Sequence, residues 1–281
     1  EKMLKNNEEV ILYGEDLLDP YGGAFKVTKG LSKIFPERVL ATPISEAAIL
    51  GIGNGLALAG FNPVVEFMFG DFITLAADQW INHTAKFNQM YNKLVNVPVI
   101  VRTPMGGRRG YGPTHSQSLE KHFAGLPGTR ILCLNHRILP SQIYANLFQS
   151  NDIPTLVIEN KNLYGQYISS EPPPGYNLLC SEDLFPTVNL KPKSKADFTV
   201  VALGGMSIQA EEAIKELFEV DEIIIDLFMP TQLYPFCVQI LENSLSETRK
   251  IILIEEGQGF ASIGSEIITR VVENYRNLNV M

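Results

Sequence analysis

The chain has 281 residues, 45% of them hydrophobic, and 23 lysines and arginines against 31 aspartates and glutamates give a net charge of −8. This length is sufficient for one large domain or two ordinary ones. A net negative chain without a basic stripe is not expected to bind nucleic acid, because phosphate contacts need clustered lysines and arginines. No apolar run approaches the roughly 18–20 residues that a membrane helix requires, so we expect no membrane span.

Strand-like and helix-like segments alternate along the first 165 residues. Apolar runs predict strands at Val10–Tyr13, Val64–Phe69, Val97–Arg102, Arg130–Leu134 and Thr155–Glu159. Helical spacing predicts helices at Ala47–Ala59, Phe72–Tyr91 and Ile138–Phe148, the first apolar nearly all round and therefore buried. This alternation favours an α/β fold with a parallel sheet and helices on its faces.

The alternation of predicted strands and helices stops at residues 166–195, which we interpret as a linker. Glu171-Pro172-Pro173-Pro174-Gly175 is incompatible with a helix or a central strand. Beyond it, predicted strands at Phe198–Leu203, Glu222–Leu227 and Ile251–Glu255 alternate with predicted helices at Ile208–Phe218 and Pro235–Leu245. We therefore predict domains at 1–165 and 196–281, the second a smaller α/β domain.

Glu46 lies just before a long apolar run, in Thr42-Pro43-Ile44-Ser45-Glu46. Thr42 is a candidate helix cap and Pro43 suits a first helical turn. One interpretation is that Glu46 only complements the helix dipole, as acids in a first turn commonly do. The alternative is a carboxyl group in an apolar pocket, where burial raises its pKa and allows it to carry a proton.

Gly51-Ile52-Gly53-Asn54-Gly55 looks like a phosphate-binding loop, but it follows the start of a helix rather than a strand. Gly51 and Gly55 fall on one helix face, so close helix packing is the better interpretation.

A long loop, Thr103–Ser118, contains four glycines and two prolines and ends near His115-Ser116-Gln117. Loops of this length are usually functional or disordered. A loop histidine is commonly just solvated, yet its position after a buried strand makes His115 a candidate site residue. The other histidines, His83, His122 and His136, lack metal-ligand spacing, and we interpret them as surface or helix-face residues.

Several strings together resemble the beta subunits of the pyruvate, branched-chain and acetoin dehydrogenases. They are GEDLLDPYGGAFKVTKGL (Gly14–Leu31), TPISEAAILGIGNGLALAGFNPVVEFMF (Thr42–Phe69), DFITLAADQW (Asp71–Trp80), THSQSLEKHFAGLPG (Thr114–Gly128), VIENKNLYG (Val157–Gly165) and LIEEGQGFASIGSEI (Leu253–Ile267). The resemblance covers nearly the whole chain in the expected order. It implies a transketolase-type pyrimidine-binding domain followed by a transketolase C-terminal domain.

The resemblance also implies roles for five residues around thiamine diphosphate. Glu46 matches the glutamate that hydrogen-bonds N1′ of the aminopyrimidine, which promotes loss of the proton from the thiazolium carbon that attacks a 2-oxo acid. Phe72 matches an aromatic ring that packs on the pyrimidine, although core packing would equally explain it. His115 matches a histidine that reaches the active site near the substrate. Glu15 and Asp78 match acidic residues lining a polar tunnel between paired sites, and Asp78 is alternatively a helix-surface acid.

Some features depart from that family. Leu75 stands where a polar or aromatic residue is often found, and the loop carries Arg108-Arg109 where small residues are common in the pyruvate enzymes. Asn151-Asp152-Ile153-Pro154 carries an extra residue near the carbonyls that bind K⁺ in some relatives, so the substrate class and a K⁺ site stay open.

The chain has no GDG motif, the family's site for Mg²⁺ and the diphosphate, and we identify no metal site in it. We therefore expect an alpha-type subunit to hold the Mg²⁺ and the diphosphate in an alpha2–beta2 assembly, with acyl transfer to the lipoyl group of a separate acyltransferase. The alternatives are a split transketolase or related carboligase subunit, and a non-catalytic scaffold subunit.

The three cysteines, Cys133, Cys180 and Cys237, are far apart and typical of a reducing compartment. We expect the bacterial cytoplasm, or alternatively the mitochondrial matrix, since no signal peptide is visible. Because the chain begins at Glu1, within a predicted helix end, we also expect that residues precede it.

Overall fold

The computed structural model describes residues 1–150, 152–275 and 279–280 of the chain. These form two compact units, one of Glu1–Ile131 with Tyr144–Tyr164 and the other of Leu132–Ile143 with Gly165–Met281. Asn151, the first residue of the segment compared with a K⁺ site, lies outside the described residues.

Helices and strands alternate through the first 164 residues. In chain order they are α1 (Lys2–Asn6), β1 (Val10–Gly14), α2 (Leu31–Ile34), β2 (Val39–Ala41), α3 (Glu46–Leu58), β3 (Asn62–Glu66), α4 (Phe87–Met90), β4 (Ile100–Met105), β5 (Arg130–Cys133), α5 (Pro140–Gln149) and β6 (Thr155–Asn160).

The first unit is built on five strands in the order β6-β4-β3-β1-β2, all of whose pairings are parallel. Strands β4 and β6 are buried along their whole length, which explains why their apolar residues are consecutive, as in Leu156-Val157-Ile158, rather than alternating. The predicted α/β fold with a parallel sheet is confirmed, with strand ends shifted by a few residues from the predicted ones.

The helix predicted at Phe72–Tyr91 is wrong as a single element. The segment forms a 3₁₀ helix at Gly70–Ala76, a π-helix at Gln79–Thr84 and the short α4. Thr84 Oγ1 donates to the Gln79 carbonyl at 2.8 Å and to Asn54 Oδ1 of α3 at 2.7 Å. Side-chain hydrogen bonds of this kind compete with the regular helical pattern, and the spacing of apolar residues does not reveal them.

Helix α3 begins at Glu46 and is only partly buried, which corrects the prediction of a fully buried helix. Ile49, Leu50 and Ala57 are buried, whereas Ile52 is 52% exposed and Ile44, just before the helix, is 81% exposed. The face bearing Gly51 and Gly55 contacts almost nothing in this chain. The glycine that packs closely is Gly53, where a Cβ would lie 2.6 Å from the Tyr13 hydroxyl oxygen.

The second unit is a smaller α/β unit, as predicted. Beyond residue 164 its elements are β7 (Tyr176–Cys180), β8 (Thr187–Pro192), β9 (Phe198–Ala202), α6 (Met206–Asp221), β10 (Ile225–Pro230), β11 (Gln232–Tyr234), α7 (Glu242–Thr248), β12 (Lys250–Ile254), α8 (Ile263–Asn274) and β13 (Asn279–Val280). Its sheet has the order β13-β12-β9-β10-β8-β7, with β7 and β8 antiparallel and the pairs among β9, β10, β12 and β13 parallel.

Residues 166–195, interpreted above as a linker, therefore contain two strands. Strand β8 pairs with β10 as well as with β7, so this half of the segment is part of the sheet. The proline run at 172–174 lies outside both strands, consistent with its inability to donate backbone hydrogen bonds.

Candidate active site

Glu46 is the first residue of α3 and is 4% exposed. The residue at the helix N-cap is Ser45, not Thr42, so the predicted cap is wrong; residues 42–45 form the turn that precedes the helix. The helix dipole favours a carboxylate at this position. Among the described residues none donates a hydrogen bond to the Glu46 carboxylate, so the group is available to a ligand.

Glu15 follows directly after β1 and lies close to Glu46. It is 4% exposed, and its Oε1 has no hydrogen-bond partner in the described structure. Burial, reinforced by the negative charges of Glu46, Asp16 and Glu66, raises the pKa of Glu15 to about 7. The negative charge of Glu46 therefore helps to keep a proton on Glu15 near neutral pH. The arrangement can hold or release one proton under physiological conditions.

Tyr13, at the end of β1, anchors the helix that carries Glu46. Its hydroxyl donates to the Ile49 carbonyl of α3 at 2.8 Å, and its side chain fits only because residue 53 is glycine. Burial raises the pKa of this hydroxyl well above its usual value, so it stays a neutral donor. Tyr13 therefore fixes the first two turns of α3 against the sheet.

Phe72 and His115, which sequence analysis placed in one site, lie together. The two rings are 5.1 Å apart in an edge-to-face arrangement, and the Phe69 ring is 4.9 Å from His115 in the same geometry. Phe72 is half-buried on the 3₁₀ helix Gly70–Ala76, which packs against α3. An aromatic face is thus presented near the helix that carries Glu46.

The loop that carries His115 is held at its base by two buried charged residues. Lys161 is fully buried and donates to the Gly106 and His115 carbonyls at 3.0 and 2.7 Å. Asp71 Oδ1 accepts from the backbone nitrogen and the side-chain Nε2 of Gln117, at 3.1 and 3.0 Å. Lys161 and Asp71 were not among the residues predicted for the site. A charged residue directly following an apolar strand is the signal that could have identified Lys161.

A second buried cluster lies beneath the site. Arg102 of β4 is ion-paired with Glu66 of β3 and with Glu159 of β6, and Glu159 also accepts from Tyr144 and Tyr164. Although burial alone would lower the pKa of Arg102, Glu159 and Glu66 hold it above its usual value. Burial raises the pKa of Glu159, but Arg102 outweighs this and lowers it overall. Arg102 and Glu159 therefore stay charged, whereas burial raises the pKa of Glu66 despite its ion pair with Arg102. The cluster joins three adjacent strands, because each side chain satisfies another.

Asp78 is exposed to solvent, unlike the buried residues described above. Its side chain is 60% exposed, accepts from Asn82 Nδ2 at 2.7 Å and lies 3.9 Å from His83 Nδ1. In this chain it is a surface acid at the start of the π-helix.

His136 differs from its interpretation as a surface residue. In the second unit its ring nitrogens lie 2.8 Å from Ser207 Oγ and 2.7 Å from Glu211 Oε2. Glu211 also binds the Arg137 guanidinium, and Ser207 is fully buried. Every polar side chain of this cluster has a partner. The cluster therefore has a structural role, because it links residues 136–137 to α6.

Two negative findings bear on the chemistry. The described part of the chain contains no group of three or more histidine, cysteine, aspartate or glutamate side chains arranged to hold a metal ion. Within the same residues, no helix has the length and apolar character needed to span a bilayer.

Comparison with known proteins assigns the class of each half. Residues 1–166 match the family model described as the transketolase pyrimidine binding domain, and residues 187–280 match the transketolase C-terminal domain. A solved structure titled as a split gene transketolase in an inactive beta4 tetramer aligns with a TM-score of 0.72 and 21% identity, over 99% of this chain and 82% of that chain. At that identity the likeness shows the fold alone. The fold is that of the transketolase pyrimidine-binding and C-terminal domains.

Proteins with similar sequences define the family within this fold more closely. The chain is 32% identical over 273 residues to the mitochondrial pyruvate dehydrogenase E1 component subunit beta of Caenorhabditis elegans, covering 96% of this chain and 76% of the relative. It is 30% identical over 281 residues to the beta subunit of acetoin:2,6-dichlorophenolindophenol oxidoreductase of Cupriavidus necator, covering 96% and 80%. The chain belongs to the family of pyruvate dehydrogenase E1 beta subunits and their acetoin-acting relatives. The resemblance identified from the sequence is confirmed, and the split transketolase alternative is the weaker one.

Proposed function

We propose that the chain is the beta-type subunit of a thiamine diphosphate-dependent 2-oxo acid dehydrogenase and supplies the residues that activate the cofactor's aminopyrimidine. The names of its relatives, which refer to pyruvate dehydrogenase and an acetoin oxidoreductase, support this reaction class. The observation that carries the proposal is the buried pair Glu15 and Glu46, with a pKa near 7 at Glu15.

The residues fit an aminopyrimidine. Glu46 is buried and receives no hydrogen bond from the described chain, while Glu15 keeps a buried oxygen without a partner. When bound, thiamine diphosphate supplies a thiazolium carbon that adds to the keto carbon of a 2-oxo acid, so that CO₂ can leave. Glu46 would hold a proton at N1′ of the pyrimidine, and Glu15 would help to set the protonation of Glu46. Such proton sharing needs buried carboxyl groups and a pKa near neutrality, and Glu15 beside Glu46 has a pKa of about 7.

We assign different roles to the remaining candidates. Phe72 would pack its ring on the pyrimidine, and His115, beside it, would act on the substrate side. Asp78, exposed in this chain, would line a polar path only where other subunits cover it. We also propose two domains with a boundary near residue 165, in which residues 166–195 contribute strands β7 and β8 to the sheet of the second domain rather than forming a linker.

The partner we propose is an alpha-type subunit that holds Mg²⁺ and the diphosphate. The exposed apolar side chains around Glu46 support a covering subunit: Ile44, Ile52 and Leu75 are 81%, 52% and 60% exposed. Exposed apolar surface beside a buried site marks a protein interface. A second beta chain would complete an alpha2–beta2 assembly, and a lipoylated acyltransferase would accept the acyl group; K⁺ is an optional further ion.

The compartment we propose is the bacterial cytoplasm, with the mitochondrial matrix as the alternative. Cys133, Cys180 and Cys237 form no disulfide within the described residues, as expected in a reducing environment.

The experiment that tests the function is Glu46→Gln in the complex reconstituted with an alpha-type subunit. The substitution preserves shape but removes the shareable proton, so we expect decarboxylation of the 2-oxo acid to fall about 10²–10⁴-fold. Exchange of the cofactor's C2 proton in deuterium oxide, followed by NMR, should slow in parallel. Glu37→Gln, at an exposed position, is the matched control. A Glu46→Gln complex with near wild-type turnover would contradict the assignment.

A further inference from the structure

A cavity of about 530 Å³ opens beside the proposed site in the first unit. Four aromatic side chains, a methionine and a lysine form most of its wall: Tyr21, Phe25, Phe69, Tyr111, Met68 and Lys26. This volume lies in the range of small-molecule sites, which are mostly apolar with a few placed polar groups. Nothing in the mechanism proposed above uses this cavity.

The floor of the cavity is held in an unusual conformation. Phe25 and Lys26 are consecutive residues with φ of 56° and 62°, the left-handed region that side chains other than glycine rarely adopt. The backbone nitrogen of Ala24 donates to Glu66 Oε1 at 2.7 Å, and the Phe25 ring stacks on Tyr164 at 4.6 Å. Both Glu66 and Tyr164 bind Arg102, so the buried charged cluster fixes this loop. Backbone strain maintained by its surroundings is typical of ligand sites.

Phe69 joins the cavity to the site. Its ring lines the cavity with that of Tyr111, at a centroid distance of 5.6 Å, and also lies 4.9 Å from the His115 imidazole. A ligand whose reacting end lies near His115 can therefore extend past Phe69 into the cavity.

The wall chemistry favours an aromatic group on a ligand that is anionic overall. The rings offer faces and edges for stacking, which adds to simple apolar burial. Two cations lie at the cavity: Lys26 lines it, and the Arg109 guanidinium lies 5.5 Å from the centre of the Phe25 ring. Resting on the proposed function, we infer that the 2-oxo acid carries an aromatic side chain and that this cavity receives it.

The test compares substrates in the complex reconstituted with an alpha-type subunit. Decarboxylation is measured with an artificial electron acceptor for phenylpyruvate, 3-methyl-2-oxobutanoate and pyruvate. We expect the highest kcat/KM with phenylpyruvate. Tyr111→Leu, at a half-exposed loop position, should lower the ratio of kcat/KM for phenylpyruvate to that for pyruvate about tenfold. Tyr167→Leu, at a 96% exposed position in the second unit, is the control and should leave the ratio unchanged.

The outcomes separate this inference from the proposed function. Turnover of pyruvate or the branched-chain acid in preference to phenylpyruvate would leave the proposed function standing and overturn the aromatic cavity. A ratio that Tyr111→Leu does not change would also overturn it. No turnover of any 2-oxo acid would remove the proposed function instead. In that case the cavity is tested with the lone chain and 3-phenylpropanoate. Saturation-transfer NMR should show the ring of this compound bound to the wild type and not to Tyr111→Leu. No saturation transfer from either chain would overturn the inference.

Discussion

Lys161→Met tests how the loop carrying His115 is held in place. Methionine keeps the length of the side chain but removes the ammonium group, which donates to the Gly106 and His115 carbonyls and lies 3.9 Å from Asp71 Oδ2. Because Lys161 is fully buried, water cannot readily replace these interactions. The substitution leaves two carbonyl oxygens with a lost donor and a buried carboxylate without its nearest cation.

The expected decrease in the free energy of unfolding follows from these lost interactions. A hydrogen bond from a charged group contributes about 1.5–3 kcal/mol, and removing one member of a buried ion pair costs about 3–5 kcal/mol. Relief from burying the ammonium group offsets part of the sum, so we expect the free energy of unfolding to fall by about 3 kcal/mol. Since domains are stable by roughly 5–15 kcal/mol, the variant should still fold.

Two assays check this expectation. Urea denaturation measures the change in unfolding free energy, and limited trypsin digestion measures cleavage after Arg108 and Arg109, inside the loop. We expect an earlier urea midpoint and faster cleavage at these two arginines. Lys195→Met, at an exposed position, is the control. If Lys161→Met matched this control in both assays, the view that Lys161 holds the loop would be wrong.

Three further predictions follow from the site and the second unit. His115→Ala in the reconstituted complex should lower kcat with little effect on cofactor affinity, because the imidazole lies on the substrate side; unchanged turnover would return His115 to a solvated loop residue. The lone chain should bind thiamine diphosphate and Mg²⁺ weakly or not at all in isothermal titration, since the described residues offer no metal cluster; micromolar binding with decarboxylation would overturn the two-subunit proposal. Glu211, whose pKa is lowered from 4.5 to about 2 by His136 and Arg137 against the opposing effect of burial, should contribute about 3 kcal/mol of stability at neutral pH. Because a lowered pKa stabilises the fold above the unfolded value, this contribution should vanish as pH falls from about 4.5 to 2. The urea midpoints of wild type and Glu211→Gln should therefore converge on acidification, and a constant difference would count against the ion pair.

The sheet of the first unit was largely predictable because buried parallel strands are continuous apolar runs. Val97–Arg102 and Thr155–Glu159 were predicted close to their observed bounds as β4 and β6. The π-helix at Gln79–Thr84 was not predictable, since it depends on a hydrogen bond between Thr84 and Asn54 that only the fold brings together. Local spacing describes which face of a segment is apolar, but not which hydrogen bonds its backbone makes.

Only part of the candidate site was predictable from the sequence. Glu46 and His115 stand in segments whose composition is unusual, whereas the charged residues of the buried cluster, Glu66, Arg102 and Glu159, stand inside buried strands. Glu66 and Arg102 are register partners on β3 and β4, a relation that becomes visible only when the strand order is known. A charge within a buried strand signals that a partner exists, but strand pairing decides which residue it is.

The Glu15–Glu46 pair also bears on the electrostatic cost of subunit assembly. Both carboxyl groups are already only 4% exposed in this chain, and a subunit that closes over α3 removes the remaining water around them, where unpaired buried negative charge opposes association. Because the pKa of Glu15 is about 7, this carboxyl group is about half protonated at neutral pH, which lowers the buried negative charge beside Glu46. Closure would raise that pKa further, so assembly would take up protons, and the complex would be held together more tightly in slightly acidic solution than in alkaline solution.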